Sequence, residues 1–254
     1  GTITSITEWD ANGTQTTPGG FSSPCPSGQE LRDERYDSAS IKSRGCVGPD
    51  SENNYRRQGH WEFFHPNGQK SGEGSYVDGN PAGFAGRTGI LIDGREGAWV
   101  FWYENGQKSG EETYRDGEPE GLTTDWHENG QKSAEWTYRD GEREGLRTWW
   151  YGNGQKQEEW TYRDGEPEGL STRWYENGQK RQEATYLNGE QEGLETWWHE
   201  NGQKSEERTF RDGEREGLAT RWHENGQKSL EETYLNDTVT SRTEWDANGT
   251  QLPR

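Results

Sequence analysis

Asn-Gly keeps time along this chain. Its glycines stand at 106, 130, 154, 178, 202 and 226, a spacing of about 24 residues, with further copies at Gly13, Gly68 and Gly249. A fixed period of this length is the mark of a repeat array. One unit reads GLTTDWHENGQKSAEWTYRDGERE over 121–144, and the next GLRTWWYGNGQKQEEWTYRDGEPE over 145–168. Each unit carries two turn signals, Asn-Gly and Asp-Gly. Both residue pairs accept the positive φ of a type I′ turn, so both predict tight hairpins. Five to eight residues separate the turns, which suits strands and not helices. The expectation is an all-β fold: an elongated antiparallel meander of about 24-residue hairpin repeats, open as a single layer or wound like a solenoid.

Comparison of the copies with one another assigns faces. Leu122, Thr124 and Trp126 recur as Leu146, Thr148, Trp150 and as Leu170, Thr172, Trp174, while the residues between them change. Alternation along a strand sends the constant residues to one side and the variable ones to the other. Closing the hairpin at Asn129-Gly130 sets Trp126 opposite Ser133, Thr124 opposite Glu135 and Leu122 opposite Thr137. The constant side is then a ladder of aromatic rings, Trp9, Phe64, Trp102, Trp126, Trp150, Trp174, Trp198, Trp222 and Trp245, packed between Leu and Thr.

That ladder answers a difficulty in the composition. Leu, Ile, Val and Phe together number only 26 of 254 residues, and the net charge is −19. Mean hydropathy is −1.44. Such values point to disorder, but 14 Trp and 11 Tyr, the Trp evenly spaced, point away from it. Each ring buries on the order of 150–250 Å², which offsets the shortage of aliphatics.

The acidity also argues against nucleic acid and anionic lipid as partners. No apolar run reaches the roughly 18–20 residues of a membrane span. There is no Met, even at position 1, which predicts a processed chain. Cys25 and Cys46 are the only cysteines. Their loop-rich setting predicts a disulfide, and with it an extracellular or cell-surface location.

The unit WYENGQKSGEETYRDGEPEG, residues 102–121, resembles the variant MORN repeat family, which includes bacterial proteins labelled YwqK-type antitoxins. The resemblance runs through W-x-x-N-G-Q-K, E-x-T-Y and D-G-E-x-E-G over residues 58–236. It implies elongated β-meanders that serve in binding or scaffolding. The chain thus divides into an N-terminal unit (1–15), a non-repeat insertion with the cysteines (16–57), the array (58–236) and a C-terminal unit (237–254). A smaller insertion lengthens one repeat at 80–94.

Catalytic chemistry is hard to find, and the chain is expected not to be an enzyme. His127, His199 and His223 follow a ladder Trp where other copies have Tyr151 and Tyr175, an exchange that suits packing. His199 and His223 would stand roughly 10 Å apart, too far to share a metal. The Glu ladder (Glu73, Glu111, Glu135, Glu159, Glu183, Glu207, Glu231) has the same spacing. It is expected to accept from Thr hydroxyls or indole N–H groups, with Lys70, Lys108 and Lys132 balancing charge. No cofactor is expected; the acidic DGEPEG turns offer at most loose Ca²⁺ contacts. Asn12, Asn236 and Asn248 begin Asn-x-Thr sequons that an exported chain could carry glycosylated.

The ends match. Residues 2–15 (TITSITEWDANGTQ) and 238–251 (TVTSRTEWDANGTQ) differ at two positions. Residues Thr2, Ile3, Thr4, Ser5, Ile6 and Thr7 form an uncharged, β-branched, Pro-free run, without the devices that guard a sheet edge. With Val239 and Thr240 they make a candidate assembly edge, where one molecule meets the next head to tail and a filament results. The rival expectations are duplicated caps, and a soluble antitoxin- or immunity-like scaffold holding another protein on its repeat face.

Overall fold

The computed structural model describes residues 25–36, 40–50, 52–80 and 90–253, with the backbone of two short strands, Glu8–Trp9 and Gln15–Thr16. The run Thr2–Thr7, the side chain of Trp9 and the sequon at Asn12 lie outside the described residues. The chain forms two compact units, 1–130 and 131–254. Among the described residues there is no helix, and both units are antiparallel β-meanders.

In the first unit the strands Glu30–Arg35, Ile41–Pro49, Tyr55–Phe64, Lys70–Gly79, Arg95–Trp102 and Lys108–Arg115 pair in succession. Gly121–Trp126 then pairs with Lys108–Arg115. Part of the 16–57 insertion therefore extends the sheet. Cys25 and Cys46 form a disulfide, with Cα atoms 5.6 Å apart. In the second unit the hairpin is repeated from Lys132–Arg139 and Glu142–Trp150 through to Lys228–Leu235 and Thr238–Glu244.

The two turn signals make different turns. At Asp140-Gly141 both residues have positive φ, 50° and 78°, as a type I′ turn requires. At Asn153-Gly154 only the glycine does, at 82°. There Gly154 N–H donates to the Tyr151 carbonyl and Tyr151 N–H to the Gln155 carbonyl, the pattern of a three-residue loop with a glycine bulge. The expected two-residue turn is corrected for a local reason. The Asn153 carboxamide oxygen accepts from Gln155 N–H at 2.9 Å, which holds the Asn out of positive φ. The register slips by one beside the turn, so Trp150 stands opposite Lys156. Further along, Thr148 faces Glu159 and Leu146 faces Thr161.

The core lies on the variable side, not the constant one. Trp61, Phe63, Tyr76, Trp99, Phe101 and Tyr114 are buried together with Val47 and Ile90, the last from the 80–94 insertion. Trp61 and Trp99 are 0 % exposed, whereas Leu122 and Leu146 on the constant side are 54 % and 56 % exposed. Glycine decides this. A Cβ at Gly74 would stand 2.2 Å from the Trp99 ring, and one at Gly45 2.2 Å from that of Trp61. Each indole lies flat on a strand that offers no side chain, a close approach available only at glycine.

Candidate interaction surface

The constant side is a polar ladder with rings in it. Phe64, Trp102, Trp126, Trp150, Trp174, Trp198, Trp222 and Trp245 are partly buried. Each Glu of the Glu ladder pairs with the Lys three residues before it, from Lys70–Glu73 to Lys228–Glu231. Six of these Lys also sit over the next ring: Lys70 over Trp102, Lys108 over Trp126, Lys132 over Trp150, Lys156 over Trp174, Lys180 over Trp198 and Lys228 over Trp245, at 5.2–6.0 Å. The carboxylate thus fixes a cation, and the cation covers an indole of the following repeat. Thr148 Oγ1 also donates to Glu159, at 3.3 Å.

The residue after each ring ties one repeat to the next. Tyr103, Tyr151 and Tyr175 donate their hydroxyls to the carbonyls of Trp126, Trp174 and Trp198. His199 Nε2 bonds the Trp222 carbonyl at 3.0 Å, and His223 Nε2 that of Trp245 at 3.2 Å. Tyr and His interchange because each presents a polar atom at the same reach. The turn Asn residues do likewise: Asn153 Nδ2 donates to the Glu176 carbonyl and Asn177 Nδ2 to that of Glu200.

In the acidic turns, Glu144, Glu168 and Glu192 accept from the backbone N–H of Asp164, Asn188 and Asp212, so these carboxylates already have donors. The sequons at Asn236 and Asn248 lie on exposed turns.

One grouping escaped the sequence reading. His60, Glu62 and Glu73 bring ligand atoms within 4.8 Å of one another. The signal was there: in this copy His60 and Glu62 stand where other repeats have Leu and Thr. Lys70 lies 2.8 Å from Glu62 and 2.5 Å from Glu73, and so supplies the cation itself.

The opposite side differs between the units. In the first it is closed by aromatic rings, with Arg57 over Trp61 at 4.4 Å and Arg95 over Trp99 at 4.5 Å. Arg57 pairs with Glu34 and Arg95 with Glu112. Burial raises the Tyr76 hydroxyl above its usual range. Burial also raises that of Tyr114, where Arg95 opposes the shift and Glu112 adds to it.

In the second unit a polar relay crosses the strands. Arg173 binds Glu158 at 2.5 Å and Gln182 at 2.8 Å. Gln182 donates to Glu195 at 2.6 Å. Arg208 binds Glu195 and Glu206, and Arg221 binds Glu206 at 3.2 Å. Beside the relay lie Trp136, Arg147, Trp149, Trp160 and Tyr186. Arg147 stacks on Trp149 with its guanidinium carbon 3.4 Å from the ring centre. The relay was invisible in the sequence, because its members change from copy to copy and only pairing across strands brings them together.

The last strand, Thr238–Glu244, pairs on one side with Lys228–Leu235. Trp245 bridges to Gln251, and Leu252 N–H donates to the Glu244 carbonyl. A cleft of about 540 Å³ runs along Val239–Glu244 and is closed by Gln251, Leu252 and Pro253. The N-terminal copy makes the same bridge, Trp9 to Gln15.

A hairpin repeat with this ladder of Trp, Glu, Lys and turn Asn defines a class of β-repeat scaffold. The MORN repeat variant model matches residues 57–78, 95–116, 119–140, 143–164, 167–188, 191–212 and 215–236, together more than half of the chain. The chain belongs to the MORN repeat variant family. No curated protein matches it. Among solved structures, the TcdB2-TccC3-Cdc42 and TcdB2-TccC3 crystal structures are similar at 13 % identity and a TM-score of 0.16. Each match covers 88 % of this chain and 15 % of the other. At that score the likeness carries no argument. Among the described residues no helix is long and apolar enough to cross a membrane.

Proposed function

We propose that this protein is an exported, non-catalytic scaffold that joins chains by strand addition, and that its first partner is a second copy of itself. The observation that carries the reading is the strand Thr238–Glu244. It pairs with Lys228–Leu235 along one side, Leu252 N–H caps the Glu244 carbonyl, and a cleft runs along Val239–Glu244. Its run Thr238-Val239-Thr240-Ser241 is uncharged and free of Pro, so added backbone meets neither repulsion nor a missing donor. The near-identical N-terminal sequence would continue the meander across the junction, and a heterologous contact of this kind propagates. The disulfide fits an oxidising compartment.

Light scattering tests this. The wild type is expected to assemble with rising concentration, while Val239→Lys with Ser241→Lys, and separately a chain lacking residues 1–7, stay monomeric. A monomeric wild type at high concentration, or equal assembly by the variants, refutes it. A second reading, in which a different protein is held on the repeat face as in antitoxin-like members, is favoured by the polar relay of the second unit.

A further inference from the structure

On the variable side, guanidinium groups come with carboxylates. Arg57 has Glu34, Arg95 has Glu112, Arg173 has Glu158, Arg208 has Glu195, Arg215 has Asp237 and Arg242 has Glu232. Three break the pattern: Arg32, opposite Gly45, and the neighbours Arg143 and Arg147. Arg143 and Arg147 lie four residues apart on the strand Glu142–Trp150 and share a face. Among the described residues neither has a carboxylate within ion-pair distance. In a chain of net charge −19, two neighbouring cations without an anion need a reason.

The geometry around them adds to the case. Arg147 is sandwiched by aromatics, with the Trp149 ring centre at 3.4 Å and that of Trp136 at 5.3 Å, while Arg143 stands 5.7 Å over Tyr162. Stacking fixes the plane of a guanidinium; Arg147 also hydrogen-bonds the Tyr162 side chain, which leaves the rest of its fork for a ligand. Two buried donors here, Arg147 Nε and Trp136 Nε1, have no acceptor, and buried donors are nearly always paired. Burial is the main reason that Arg147 holds its proton less firmly than a free guanidinium, with Arg143 as the second cause. An anion held between the two guanidiniums would offset their mutual repulsion.

We propose that Arg143 and Arg147, framed by Trp136, Trp149 and Tyr162, form a binding site for a carboxylate on an acidic segment of a partner protein. Carboxylate is the ligand because it is what the other guanidiniums of this face take, and a planar fork matches it in two parallel hydrogen bonds. A long polyanion such as nucleic acid is opposed by the net negative charge, whereas a short acidic segment meets mainly the local cations. The inference rests on the reading that the repeat face holds a partner, and not on edge pairing at Thr238–Glu244. Edge variants therefore leave its test unaffected.

The probe is a fluorescein-labelled tetraglutamate peptide, followed by anisotropy at low and physiological salt. The wild type should bind it saturably and more weakly as salt rises. Arg147→Gln should weaken binding at least tenfold and Arg143→Gln several-fold. Arg221→Gln, at a guanidinium already held by Glu206, should change it less than twofold. In the wild type itself, the indole N–H resonances of Trp136 and Trp149 should move on titration while that of Trp222 does not, a readout that needs no variant to fold. No saturable binding, unchanged affinity in Arg147→Gln, or unmoved Trp136 and Trp149 resonances overturns the proposal. Equal competition by inorganic phosphate and acetate overturns the carboxylate assignment. A self-association that Arg147→Gln abolishes would give the site to a second copy and overturn the partner claim.

Discussion

Trp99→Ala and Leu122→Ala should separate by several kcal/mol, although repetition alone ranks them the other way. Leu122 belongs to the constant pattern and Trp99 to the variable one. In the structure Trp99 is wholly buried on Gly74, donates its indole N–H to the Ser75 carbonyl at 3.1 Å and carries Arg95 on its face. Truncating a buried Trp costs about 3–5 kcal/mol through lost transfer energy and the cavity left behind. Arg95, itself buried, loses its stacking partner as well. Leu122 is 54 % exposed, so its truncation forfeits about half of a Leu burial, roughly 1 kcal/mol. Both residues lie in the first unit, so one unfolding transition reports both. Urea denaturation followed by circular dichroism should show the Trp99 variant with a much lower midpoint and the Leu122 variant close to wild type. Equal losses, or a larger loss at Leu122, would mean that the core lies on the constant side and that the argument from Gly45 and Gly74 is wrong.

Two further outcomes are expected. Thiol titration of the denatured, unreduced chain should find no free thiol; Cys46→Ser should destabilise the first unit by about 3 kcal/mol, the chain-entropy value for a loop near the 21-residue separation. The Asp50 carboxyl is held down to about 2, first by its bond from Arg56 and then by the Asn54 backbone N–H. A depressed carboxyl contributes its stability above the unfolded value near 3.8 and loses it as pH falls through about 2. Carboxyl carbon NMR should therefore show an Asp50 midpoint near 2, rising towards 3.8 in Arg56→Gln; a midpoint that Arg56→Gln leaves unmoved refutes the assigned cause.

Much of the fold was legible because its determinants are local. The period, the strand lengths and the turn at Asp140-Gly141 follow from residues a few positions apart. The pairings Thr148 with Glu159 and Leu146 with Thr161 survive a change of turn type, because the bulge at Trp150 absorbs the slip. What alternation conveys is that residues share a face. It says nothing of which face will be covered, since covering needs atoms from distant positions. Gly45 and Gly74 leave room for Trp61 and Trp99, and Ile90 reaches the core from an insertion outside the repeat. Repetition misled for the same reason: the Trp–Lys–Glu ladder is constant because each repeat must bind the next identically, whereas the variable side is free to be a core in one unit and a polar relay in the other. The isolation of Arg143 and Arg147 belongs wholly to the tertiary structure. An Arg in a sequence full of Glu looks paired, and only the strand register decides which carboxylates come within reach.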